Sequence, residues 1–94
     1  MRKGRDIDKL LSQRASYAKN VLTVYKAEIA TVCLRLSKHE YISEKEIEHL
    51  FDAIIDYCFD MEIADLFNKL CEAAVLPYPE LVKDYRRYYA DQWQ

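Results

Sequence analysis

The sequence predicts an all-α fold: a small bundle of about four helices with a long N-terminal helix. Three observations carry that reading. The chain has 94 residues but only one glycine and two prolines, too few for a turn-rich β sandwich or barrel. Almost nothing interrupts it between Gly4 and Pro77. Its apolar residues, 51% of the total, recur with the period of a helix and are too abundant for a disordered chain. At this length one core is expected: a loose tail over residues 1–4, then a single helical domain over 5–94.

The first helix is expected over 5–37. At about 100° per residue, Ile7, Leu11, Ala18, Val21, Leu22, Ile29, Val32 and Leu36 all lie within about 60° of Tyr25. A helix of that length spans about 45 Å, against a radius of gyration near 12 Å for a compact chain this small. It must be a spine shared by the other helices, or it must reach a second chain.

The second helix is expected over 44–59. Ser43 with Glu46 three residues on has the form of a capping box, and Ile42 with Ile47 that of a hydrophobic staple. A third helix is expected over 61–75, because the apolar stripe changes phase. Ile47, Phe51, Ile54 and Cys58 share one direction; Ile63, Leu66, Phe67, Leu70 and Ala74 share another, about 150° away. One straight helix cannot face both groups to a single core, so a break falls at Phe59–Glu62 with Asp60 as N-cap. Pro77 ends the third helix and Pro79 opens a fourth over 79–92 as its first residue.

The fourth helix holds the stretch PELVKDYRRYYADQW, whose rings and arginines raise the question of base stacking. Leu81, Val82, Tyr88, Tyr89 and Trp93 fall on Tyr85's side of the helix, while Lys83, Asp84, Arg87 and Asp91 fall opposite. A stacking platform needs exposed rings set among cations. The segregation indicates packing instead, with Tyr88 and Trp93 at the margins suited to a protein interface.

Net charge, −2, conceals a division. Residues 1–38 carry nine Lys/Arg against three acids, and residues 39–82 carry eleven acids against Lys45 and Lys69. Glu44, Glu48, Asp52, Asp56 and Asp60 recur every four residues, placing carboxylates about 6 Å apart along one ridge. Like charges at this spacing slightly destabilise a helix, and focused negative charge attracts a basic groove on a partner, including one that otherwise holds phosphates. Arg14 falls inside the apolar stripe of the first helix, where it serves a carboxylate, a helix end or an interface as an anchor.

Catalytic equipment is sparse. Glu46-Ile47-Glu48-His49 has the Glu-x-x-His spacing of di-iron bundles, but there is no second copy and the pair faces away from the apolar side. Arg35 and His39 sit at a helix end without a second polar partner. No glycine-rich phosphate loop and no Cys/His pairing of useful spacing is present. The expectation is a non-enzymatic protein–protein interaction module, an adaptor, regulator or inhibitor, with no metal and no cofactor. The partner is another protein, or a second copy in a homodimer through the long helix. The alternative is a nucleic-acid-associated protein using Arg5, Lys9, Lys19 and Lys26 on the outer face of helix one, a sparse strip without a recognisable binding motif. No apolar run approaches a membrane span, and no signal-peptide pattern opens the chain. Three cysteines outside any CxxC read as reduced thiols of a cytoplasmic protein.

Overall fold

The computed structural model describes the backbone of residues 2–93 and the side chains of residues 13–93. The fold is all-helical: α1 (Arg2–Ser37), α2 (Glu44–Ile55), α3 (Met61–Ala74) and α4 (Pro79–Trp93). Residues 2–4, expected as a loose tail, fall within α1, and Met1 lies outside the described residues.

Each boundary has a local cause. The end of α1 is a Schellman-type closure: the Glu40 amide donates to Arg35 O and the His39 amide to Leu36 O, both at 3.0 Å. His39 takes the left-handed conformation this requires, at φ 61°. At the start of α2, Ser43 Oγ accepts the Glu46 amide at 3.2 Å, and the expected staple residues, Ile42 and Ile47, are both buried. Asp60 caps α3 with one oxygen, Oδ1, which accepts the amides of Glu62 and Ile63 at 2.9 and 3.2 Å.

The second helix stops earlier than its periodicity predicts, at Ile55 rather than near residue 59. From there the chain tightens: the Tyr57 amide donates to Ile54 O and the Asp60 amide to Tyr57 O, both at 3.0 Å. These three-residue closures carry the change of direction between the stripes of α2 and α3. The phase break required a turn of this kind, but a turn built from apolar residues has no composition signal of its own.

The α2–α3 pair forms the middle of the molecule. α1 packs against one side of it, chiefly on α3, and α4 against the other, while α1 and α4 do not meet among the described residues. Ile29, Ile47, Phe51, Ile54, Ile63, Phe67, Leu70 and Val82 are almost fully buried in one continuous core. Four rings lock α4 down. Tyr85 stacks on Phe51 at 4.6 Å, Tyr89 stacks on Phe67 at 4.9 Å, and Phe51 meets Phe67 edge-on at 5.4 Å. Such pairs contribute about 0.5–1.5 kcal/mol each beyond their area. This is the packing that the aromatic stretch of α4 serves.

With 36 residues, α1 is about 54 Å long at 1.5 Å per residue. The molecule measures 55 × 26 × 19 Å and has a radius of gyration of 15.1 Å. Its long dimension is therefore that of α1 alone.

Candidate functional site: an acidic groove between the second and fourth helices

An open groove of about 640 Å³ runs between α2 and α4, and no residue of α1 lines it. Three members of the predicted ridge, Glu48, Asp52 and Asp56, line one wall. The other wall carries Asp84, Tyr85 and Tyr88, and Ile55 and Leu81 complete the lining. Four carboxylates thus share one opening with two phenol rings, and no Lys or Arg lines it. The two features expected separately from the sequence, the acidic ridge and the aromatic margin, meet here through Tyr88.

The ridge is only partly used. Glu44 is exposed in the first turn of α2 and stays outside the groove, where it complements the helix dipole. Asp60 is committed to capping α3. Trp93 does not line the groove either. Its indole Nε1 donates to Ile55 O at 3.0 Å, fastening the C-terminal turn of α4 to the last residue of α2. Ile55 is itself a groove residue, so Trp93 holds one end of the site without facing its interior. Tyr88 is about half exposed, at 49%.

Arg14 is exposed and engages a residue of its own chain. Its guanidinium lies over the ring of Phe59, 4.6 Å from the centroid, and Phe59 in turn neighbours Tyr57 and Trp93 at 6.3 and 6.1 Å. One cation therefore ties α1 to the α2–α3 turn, and the ring beneath it leads on to the end of α4. The sequence marked Arg14 as anomalous but gave no sign of Phe59 as its partner.

The groove is held by a bond that periodicity did not suggest. The Tyr85 hydroxyl donates to Asp52 Oδ1, linking α4 to α2 across the groove floor. Burial pushes the Tyr85 phenol above its ordinary range, reinforced by its bond to Asp52 and by the charges of Asp52 and Glu48. The phenol stays neutral and remains a donor, leaving the outer oxygens of the carboxylates for an incoming cation.

By angle Asp84 falls on the polar side of α4, yet it forms part of the wall of the site. A signal for it exists: Leu81, Asp84 and Tyr88 fall together on one flank of the α4 stripe, and Val82, Tyr89 and Trp93 on the other. The first flank borders the groove and the second enters the core.

The arrangement suits an organic cation. Guanidinium pairs with carboxylates in a planar fork and stacks on phenol rings, a combination that ammonium matches less well. Among the described residues no three His, Cys, Asp or Glu side chains are grouped to hold a metal ion. The three thiols are unpaired. Cys58 is pushed up to about 12 by burial and by the nearby Cys71 and Asp56, and Cys71 to about 11 by burial against the lowering effect of Arg86. Both are poor nucleophiles as a result. Of the basic strip on α1, Arg5 and Lys9 lie outside the described side chains, Lys19 is exposed, and Lys26 approaches Glu62 at 3.8 Å. No helix described here is long and apolar enough to cross a membrane. Comparison with protein families, with curated proteins and with solved structures finds no match.

Proposed function

We propose that this chain is a non-enzymatic protein-interaction module that takes a basic segment of another protein into the α2–α4 groove. The observation that carries the reading is the convergence of Glu48, Asp52, Asp56 and Asp84 with Tyr85 and Tyr88 around one opening. The carboxylates steer a cationic partner and select against an acidic one. The phenol rings and Leu81 supply the apolar contact that turns an encounter into a complex. An arginine-bearing helix or extended segment fits this chemistry, with guanidinium groups set between Tyr88 and the carboxylates.

We read the role as that of a small adaptor, regulator or inhibitor in the cytoplasm, a compartment that the unpaired thiols favour. Interaction through the groove needs no catalytic step and no cofactor. Affinity capture from the native host tests the reading with two baits, the unaltered chain and an Asp56→Lys/Asp84→Lys variant. Both substitutions spare the Tyr85–Asp52 bond, so the fold is retained. A partner with a basic segment, captured by the first bait and lost from the second, is the expected result. Identical captures by both would exclude the groove as the binding face.

A further inference from the structure

The face of α1 turned away from the bundle repeats at coiled-coil spacing. Tyr17, Val24 and Thr31 are seven apart, as are Asn20, Ala27 and Leu34, and the two sets interleave three and four residues at a time. All six are exposed, Tyr17 at 58%, Val24 at 62% and Leu34 at 56%. They form a seam about 26 Å long at 1.5 Å per residue. Among the described residues no helix of the same chain covers this face: α1 packs on α2 and α3 and does not meet α4.

We infer that this seam pairs antiparallel with the same seam of a second copy, forming a two-fold α1–α1 dimer. One register aligns every layer at once: Tyr17 against Leu34, Asn20 against Thr31, and Val24 against Ala27. Each layer occurs twice about the axis, so the contact is closed and self-complementary. Large side chains meet small ones at the centre, where Val24 fills the space left by Ala27. The polar layer is satisfied as well. The Thr31 hydroxyl already donates to Ala27 O at 3.0 Å, which leaves its lone pairs to accept the Asn20 amide. A parallel pairing would instead set Ala27 on Ala27, leaving a void, and bring the basic N-terminal segments side by side. The small neighbours Ser16, Thr23 and Ala30 along one edge allow close approach. No residue of α1 lines the acidic groove, so pairing through the seam leaves its lining untouched, and this inference stands independently of the groove's function.

Two measurements on the full chain test it. Sedimentation over micromolar to millimolar concentration should show mass rising from 11.2 kDa toward twice that value. Val24→Glu or Leu34→Glu, both exposed substitutions compatible with a helix, should abolish the rise, and far-UV circular dichroism confirms that they fold. Asp56→Lys/Asp84→Lys should leave it intact. For orientation, Tyr17→Cys and Leu34→Cys are prepared separately in a Cys33→Ser background, mixed and oxidised. A mixed 17–34 disulfide is the expected product. A monomer at every concentration would overturn the dimer, and predominant 17–17 and 34–34 products would overturn its orientation.

Discussion

The hydroxyl of Tyr85 and the carboxylate of Asp52 are 33 residues apart in sequence and share a hydrogen bond across the α2–α4 groove. The same tyrosine stacks on Phe51, the residue preceding Asp52. One side chain of α4 therefore grips two consecutive residues of α2, one through its ring and one through its oxygen. The shape of the acidic groove depends on that grip.

Tyr85→Phe keeps the stack and removes the bond. The expected loss is about 1 kcal/mol, since the pair borders solvent, which lowers the melting temperature by about 4–8 °C for a domain this small. Asp52→Asn retains an acceptor and should cost less. An unchanged melting temperature for Tyr85→Phe would show that the bond carries no weight in solution.

Arg14 and Phe59 are expected to be coupled. A double-mutant cycle with Arg14→Gln and Phe59→Leu, followed by chemical denaturation, should return about 0.5–1 kcal/mol for the cation over the ring. A coupling of zero would mean that Arg14 acts elsewhere, as an anchor for a partner does.

His39 holds a left-handed position that glycine occupies without strain. His39→Gly should raise stability by up to about 1 kcal/mol, seen as a higher denaturation midpoint with unchanged slope. A loss would indicate that the imidazole makes a contact worth more than the backbone relief.

Alkali should unfold the chain through its buried thiols. Cys58 and Cys71 hold their protons to about 12 and about 11 when folded, whereas an unfolded thiol releases its proton near 9.0. Their raised values contribute stability that is fully present below about pH 9 and is lost as pH climbs through the folded values. Between those limits the expected decline is about 1.4 kcal/mol per pH unit for each thiol. Cys58→Ala should flatten the decline measured by denaturation at stepped pH, and an unaltered slope would contradict the assignment.

What could be read from the sequence, and what could not, divides by range. Ser43, Asp60 and Pro79 act on amides within three or four residues, so the helix starts were legible. The opposed stripes of α2 and α3 required a break, and the break is there. The contacts that shape the site join residues far apart: Tyr85 to Asp52, Trp93 to Ile55, Arg14 to Phe59. Periodicity gives the direction in which a side chain points but not which helix lies there. The ridge Glu48, Asp52 and Asp56 was therefore visible as a row of charge, while Asp84 on the opposite wall was not. The outer face of α1 shows the same limit. Tyr17, Val24 and Leu34 stood outside the stripe facing the core, and one core direction was all that the stripe could report.

A titration of isotope-labelled protein with a short arginine-rich helical peptide, followed by NMR, bears most directly on the groove. Amide shifts should concentrate on Glu48–Asp56 and Leu81–Tyr88, weaken as salt is raised, and vanish in Asp56→Lys/Asp84→Lys. Shifts confined to α1, or none at all in the unaltered chain, would contradict a basic partner at this site.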